Sequence, residues 1–582
     1  MLQKVKTEIA EQLSKELGID KEIAFASLET PKDEFGDLTT RIAFMLAKER
    51  RENPVNIATS LVQQLKPFGY VEKISSSGPY LNFHFSNEFY MDSLKQIKKG
   101  NEKFGKGKKT GKKMAVEFFH ANTHKGVHIG HIRNITTGEA LCRVLDAAGN
   151  KVVRLNYQGD IGPHVAKCIW GFLNIYNCRV PKDNQDNRGV WLGKVYSEAT
   201  EKTVGNLELE AEVREINQKI YSGDKKTVEI WKKTRQWCLD DFERFYKEFG
   251  VKFDELYFES QTEKIGKETA LELVKKGVAK EDQGAIIMDL REDGLGVSVL
   301  VTTEGHPLYS AKDLGLAKIK FKKHNPDRSI HVVGKEQELY FKQLFKTFEK
   351  AGKAGMRDMA LAAEASHHLI YELVMLPEGK MSSREGTMVL YEDLRNKLVE
   401  LVKEEVVKRH EDWEQKQVDE TSLKITLAAI KFSMLNRESN KVMVFDWVKA
   451  LSLEGESGPY IQYACVRVRG ILEKVGKKAG KTKETGPAKS EYAMTHSERK
   501  LIKKLCEFPD VVENSAEHLA VYRVANYLID VAAEFSKFYN TSPVANAESE
   551  SAKAARIKIV EGTGIVLKNG LWLLGIDVPE RM

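Results

Sequence analysis

Glu117-Phe118-Phe119-His120-Ala121-Asn122-Thr123-His124-Lys125-Gly126-Val127-His128-Ile129-Gly130-His131-Ile132-Arg133-Asn134 joins an apolar run, Met114 to Phe119, to a segment with helical periodicity. In that segment Ile132, Ile135, Leu141, Val144, Leu145 and Ala148 recur on one helix face. Gly149 marks its end, and Val152-Val153-Arg154-Leu155 opens a second apolar run. The pattern predicts a βαβ unit whose polar loop lies at the carboxyl end of the first strand, where such sheets bind ligands. His128 and His131, three residues apart at the helix start, face the same way. Together with the free N–H groups and the positive dipole end expected there, they make a corner suited to phosphate.

Outward from this unit, the 582 residues leave room for several domains, and 42% hydrophobic with 30% charged residues fits a globular, water-soluble chain. No apolar run reaches bilayer length, which argues against a membrane protein. The first residues, Met1 to Glu11, read as a charged amphipathic helix without the apolar core of a signal peptide, so the expected compartment is the cytoplasm. Six cysteines are scattered with no C-x-x-C pair, which argues against structural zinc and a disulfide framework. The net charge of +7, from 91 basic and 84 acidic residues, is too balanced to specify a nucleic-acid partner. Local clusters carry more information.

Residues 1–97 read as a small α+β domain ending in the alternating strand Tyr80-Leu81-Asn82-Phe83-His84-Phe85. Lys98 to Lys113 holds eight lysines and four glycines against one glutamate, a flexible basic linker that is either a solvated hinge or a strap contacting phosphates. Residues 114–392 form the expected parallel-sheet domain, interrupted by a charged helical insertion over about 171–250. Ala285 to Met288, Val297 to Val301 and Ser329 to Val333 are short apolar runs, the last two expected to resume the sheet. Residues 393–582 read as a helical bundle interrupted by a lysine- and glycine-rich loop at Lys474 to Lys489.

His-x-Gly-His alone is a weak signal. Here it lies between strand and helix and is answered far downstream by Lys380-Met381-Ser382-Ser383-Arg384 after another apolar run. This pair resembles the HIGH and KMSKS motifs of the class I aminoacyl-tRNA synthetases. Within that class the chain is most similar to the arginyl family. The similarity rests on the opening stretch and on Tyr157-Gln158-Gly159-Asp160-Ile161-Gly162, Tyr309-Ser310-Ala311-Lys312-Asp313 and Val332-Val333-Gly334-Lys335-Glu336-Gln337. Gly455 to Tyr463, Gly78 to Phe83 and the ending Pro579-Glu580-Arg581-Met582 also match.

The resemblance implies a multidomain α/β protein: a Rossmann-like catalytic domain with helical insertion, an appended α+β tRNA-binding domain and an all-helical anticodon-binding domain. It implies ATP-dependent activation of L-arginine to arginyl-adenylate and transfer to the 2′-hydroxyl of the terminal adenosine of tRNA(Arg), with Mg2+ accompanying ATP and activation waiting for bound tRNA. By the same resemblance His128 and His131 contact the phosphate and ribose region, and Gly130 lets adenine approach the backbone. Lys380 meets the β- and γ-phosphates, with Met381, Ser382 and Ser383 in the same closing loop. Ser383 stands where the class has a second lysine, and Lys125, just before the first motif, supplies a cation from the other wall.

A guanidinium has five donors, no acceptor and a permanent charge, so its pocket needs a carboxylate. Asp313, one helical turn after Tyr309, matches the family's guanidinium pair. Asn122 and Gln337 match the residues that hold the α-amino and α-carboxylate groups, and His131 borders both substrates. Glu117 either adds negative potential or makes a structural hydrogen bond, and His120 stands where the family often has serine. Tyr80 and Asn82 match positions used against the tRNA D-loop, by stacking and hydrogen bonding, although a plain strand would look the same. Tyr460, Gln462, Tyr463, Arg467 and Arg469 are candidates for the anticodon side or for the bundle core. The expected partners are tRNA(Arg), arginine and ATP, with no membrane, and the expected state is a monomer. Other readings are a noncatalytic RNA-binding module on this scaffold, a small nucleotidyltransferase-like enzyme using His-x-Gly-His on a metabolite, which the long helical bundle argues against, and a class I synthetase of different amino-acid specificity.

Overall fold

The computed structural model describes residues 1–31, 35–375, 389–478 and 492–582. The first unit is a four-stranded antiparallel sheet of β1 (Leu28–Glu29), β2 (Leu38–Thr40), β3 (Val71–Ser77) and β4 (Tyr80–Phe85), in the order β1-β2-β4-β3. The Leu2–Leu17 and Pro54–Gln64 helices bury Val5, Ile9, Leu13, Ile57 and Leu61 in its core.

The central sheet is wholly parallel. Its strands are β5 (Lys113–Glu117), β6 (Lys151–Gln158), β7 (Glu255–Phe258), β11 (Arg328–Gly334) and β12 (Ser366–Tyr371), in the order β12-β11-β5-β6-β7. The chain runs outward through β6 and β7, then returns to the other side of β5 with β11. The strand order therefore reverses between β5 and β11, and the crevice at their carboxyl ends is where such sheets bind ligands.

The Ile129–Ala147 helix lies behind this crevice and is buried nearly all round, by the sheet on one side and by the Gln415–Leu435, Phe508–Glu517 and Glu550–Leu573 helices on the other. Gly138 brings it against the strand exit, since a Cβ there would fall 2.2 Å from Phe118 Cγ.

The run Val297 to Val301 does not resume the parallel sheet. It belongs to β10 (Gly296–Val301), which pairs antiparallel with β9 (Ala285–Leu290), itself paired with β8 (Lys280–Asp282). The turn at Arg291–Asp293 is too short for the crossover that parallel neighbours require. The insertion packs the Pro163–Asn174, Arg188–Thr203, Leu207–Ser222 and Lys225–Phe249 helices together.

Residues 98–113 also depart from the flexible linker expected. The Asn87–Gly100 helix carries through Gly100, Phe104 stacks near Phe508, and the backbone is tied to Ala147, Gly149 and Lys151. Those pairings satisfy main-chain groups that a free linker would leave to water.

Beyond β13 (Val374–Met375), which pairs with β14 (Met443–Val444), the described residues from Tyr391 to Leu573 are otherwise helical apart from connections. The Gly458–Lys478 helix extends into the loop expected from Lys474, and the rest of that loop lies outside the described residues. No helix among the described residues is long and apolar enough to cross a membrane.

Candidate functional site

After β5 the backbone turns sharply, with Phe119, His120 and His124 at φ 80°, 54° and 63°. Non-glycine residues adopt this region only where surrounding contacts hold them. Asn134 supplies one such contact, its Oδ1 accepting from Phe119 N at 2.5 Å while its amide donates to Val332 O at 2.8 Å. The same side chain thus fixes the exits of β5 and β11 on either side of the crevice. The Phe119 ring stacks near Phe245, and buried His124 bonds Thr234 on the insertion. Burial pushes the His124 imidazole down to about 3, so it fastens the loop as a neutral ring.

The helix start differs from the free N–H corner that its sequence suggests. Ile129 N donates to Val389 O, Gly130 N to His128 Nδ1, and both His131 N and Ile132 N to His128 O. His131 Nδ1 in turn accepts from His128 N at 3.2 Å, closing a reciprocal cap with the two rings 3.8 Å apart. Burial, aided by Lys125, lowers His128 to about 4 and His131 well below its ordinary value. Since each Nδ1 accepts, the proton of each neutral ring sits on Nε2. The two imidazole N–H groups thus replace the expected main-chain donors.

Glu117, His120, Asn122, His128, Gly130, His131, Tyr309, Asp313 and Gln337 all line one cavity of about 810 Å3. Lys125 stands beside it, its ammonium 5.2 Å from the Tyr196 ring centre and its charge acting on His128. Lys380, Met381, Ser382 and Ser383 lie outside the described residues.

Along one wall, Asn122 Oδ1 accepts from Gly159 N at 3.1 Å. A Cβ on Gly159 would fall 2.4 Å from that oxygen, so glycine is needed for the approach. His120 Nδ1 lies 3.2 Å from Tyr157 O, while its Nε2 is buried with no partner among the described residues. Glu117 is held by Lys320 at 3.0 Å and approaches His331 Nδ1 at 3.3 Å. Lys320 above all, helped by contact with the His331 ring, keeps its carboxyl well below the usual range despite burial. The carboxylate thus makes a structural contact and also adds negative potential at Asp313.

Opposite, the Tyr309–His324 helix packs on the Glu259–Lys275 helix at glycine distance: a Cβ on Gly266 would lie 2.2 Å from Ala311 O. Glu259 is neutralised there by Lys312 at 2.8 Å. Asp313 differs. Among the described residues it has no ion-pair partner, and its Oδ2 accepts from the Tyr340 hydroxyl. Burial and the charges of Glu117 and Glu259 raise it to about 7, against the pull of that hydrogen bond. Tyr340, Lys320, His331 and Glu259 escaped the sequence reading, although Tyr340 follows Gln337 at helical spacing and was open to the same argument.

Elsewhere, Tyr80 is exposed and meets Phe44 edge-on at 5.5 Å, but Asn82 is 2% exposed within its sheet. The fold leaves only the tyrosine at the surface, because β2 and β3 flank β4 on both sides at Asn82. Gln462 is buried and donates to Lys424 O and Asp577 O, Arg469 binds the carbonyls of Pro579 and Glu580, and Arg467 lies 4.3 Å from the Tyr539 ring centre. Much of the stretch weighed for the anticodon thus anchors the end of the chain. No group of three or more His, Cys, Asp or Glu among the described residues is arranged to hold a metal ion.

Comparison with known proteins matches residues 93–447 to the tRNA synthetases class I (R) catalytic domain, 461–582 to the DALR anticodon binding domain, and 3–85 to the arginyl tRNA synthetase N terminal domain. An arginine–tRNA ligase of Bdellovibrio bacteriovorus is 33% identical over 574 residues, covering 97% of this chain and 95% of the relative. One from Clostridium perfringens is 32% identical over 581 residues, covering 99% of each. The arginyl-tRNA synthetase structure of Thermus thermophilus superposes with a TM-score of 0.79 at 26% identity over 100% of both chains. With its cavity at the strand-order reversal, its paired histidines and its three matched segments in order, the chain belongs to the class I arginyl-tRNA synthetase family.

Proposed function

We propose that the protein charges tRNA(Arg) with L-arginine at the expense of ATP. The observation that carries the reading is the Asp313 carboxylate, free of any cation among the described residues, in the same cavity as the neutral histidine pair. A cationic side chain on the substrate supplies the missing countercharge.

The reaction needs positioning more than acid or base. The arginine carboxylate attacks the α-phosphorus of ATP, and the bond to the β-phosphate oxygen breaks as pyrophosphate leaves. The Nε2–H groups of His128 and His131 donate to the phosphate and ribose oxygens, Gly130 gives adenine room, and Lys125 adds charge from the side. Lys380, with Met381, Ser382 and Ser383, is assigned to the β- and γ-phosphates, and Mg2+ enters with ATP as part of the substrate. Asn122, Gln337 and the unpartnered Nε2 of His120 hold the amino-acid backbone groups, and Tyr309 with Asp313 holds the guanidinium. The 2′-hydroxyl of the terminal adenosine then attacks the arginyl carbonyl and AMP leaves. Tyr80 offers a stacking surface to the tRNA, the helical domain takes the anticodon side, and the protein acts as a cytoplasmic monomer.

Pyrophosphate exchange with each of the twenty amino acids, with and without total tRNA, tests this. Arginine should be the best substrate and its exchange should require tRNA. A different best amino acid removes the central assignment, and equal rates without tRNA remove the coupling.

A further inference from the structure

Asp313 sits in an electrostatic environment that works against the task of holding a cation. Glu117 on β5 and Glu259 on the neighbouring helix both face it, and both raise its proton affinity. The nearby cations offer little relief: Lys320 on its own helix is committed to Glu117, and Lys312 to Glu259. The remaining titratable groups on packed elements, Tyr157 on β6, His331 on β11, Tyr309 on the same helix and Tyr340, are neutral at ordinary pH, their shifts all favouring the uncharged form. One contact opposes the two glutamates directly. The Tyr340 hydroxyl donates to Asp313 Oδ2, and a hydrogen bond to the charged form favours that form.

Tyr340 is well placed to do this. It lies in the first turn of the Glu338–Lys353 helix and lines the cavity. Its neighbour Phe341 stacks on His368 at 4.5 Å and approaches His331 at 5.4 Å, which anchors the turn to the sheet. Burial and Asp313 together hold the phenol far above its ordinary value, so it remains a donor throughout the working range.

We propose that Tyr340 is a specificity-determining positioning residue, whose hydroxyl holds Oδ2 of Asp313 and so reserves Oδ1 for the guanidinium of the substrate. This rests on the assignment of Asp313 to the guanidinium. Its consequence is selectivity as well as affinity. A protonated Asp313 would accept a neutral urea group such as that of citrulline about as well as a guanidinium, whereas the ionised form rewards the permanent charge.

The test is Tyr340→Phe in the full-length chain. The acid limb of kcat/KM for arginine, which reports the free enzyme, should move to higher pH by roughly one unit. At neutral pH the KM for arginine should rise about tenfold, with the KM for ATP unchanged and discrimination against citrulline reduced. A ring-fluorinated tyrosine at the same position, equal in shape and a stronger donor, should move the limb the opposite way. A limb that stays at its wild-type pH in both variants overturns the proposal, as does a loss of kcat uniform across pH, which a merely structural tyrosine would give. Asp313→Asn separates the two levels: if that variant still activates arginine, the guanidinium assignment itself fails, and if it does not while the limb stays fixed, only the role of Tyr340 fails.

Discussion

In the proposed function Asp313 carries the selectivity of the pocket, so its replacement should be decisive. Asp313→Asn keeps shape and polarity while removing a buried charge whose proton affinity is raised, so the variant should melt at neutral pH no lower than the wild type and lose arginine activation by at least about 100-fold in kcat/KM. Steady-state pyrophosphate exchange at saturating ATP measures this. Gly130 makes a different demand. A Cβ there would lie 2.9 Å from His128 Cε1, against the ring whose Nδ1 caps the helix. Gly130→Ala should therefore displace His128 and lower kcat/KM for ATP by about 100-fold, the scale of an ångström of misplacement, with arginine binding little changed. Kinetics with each substrate varied in turn distinguish the two.

Among the elements, the Ile129–Ala147 helix joins the active site to the helical domain through one buried side chain. Arg133, 1% exposed, donates to the carbonyls of Glu372, Leu373, Ser439 and Lys441 at 2.7 to 3.2 Å. Burial lowers its guanidinium to about 10, still charged at any working pH. The first two carbonyls precede β13 and the last two precede β14, so Arg133 holds the parallel β13–β14 pair to the signature helix. Arg133→Met preserves much of the stem and strands these carbonyls, at a cost of about 3 kcal/mol or more. Urea denaturation should show a lower midpoint, and aminoacylation should fall with it, because Glu372 and Leu373 lie shortly before the segment that bears Lys380.

Taken whole, the molecule is rich in imidazoles kept neutral by burial. His128 and His331 are lowered to about 4, His124 and His164 to about 3, against 6.5 for an ordinary histidine. As pH falls below 6.5 the unfolded chain takes up protons that the folded chain refuses. Stability is therefore lost through the window from 6.5 down to about 4 for the first pair, and on to about 3 for the second. Each ring should cost about 2 kcal/mol by about pH 5. Asp313 acts in the opposite sense, since its raised affinity lets the fold bind a proton first between about 7 and 3.8. That offsets roughly one histidine. Thermal melts from neutral to mildly acidic pH should show a steep fall in melting temperature starting below 6.5. A flat profile would mean that these rings are solvated.

The sequence by itself determined the βαβ opening, the helical carboxyl-terminal third and the cavity residues from Glu117 to His131. Those features rest on periodicity and on short motifs, which local residue order encodes directly. Tertiary structure decided what depends on partners distant in the chain. It spent the main-chain donors of the signature helix on His128 and Val389, docked the lysine-rich linker, moved β10 into a separate sheet and buried Asn82. Gln462 and Arg469 became anchors for the chain end in the same way. Apart from β10, which its short turn decides, these cases share one physical reason: a buried polar group must find a partner, and whether it finds one in substrate, RNA or the protein depends on which remote segment the fold brings beside it. Asp313 illustrates both halves: the resemblance implies its place against a guanidinium, while the hydroxyl that meets its Oδ2 comes from a tyrosine 27 residues away.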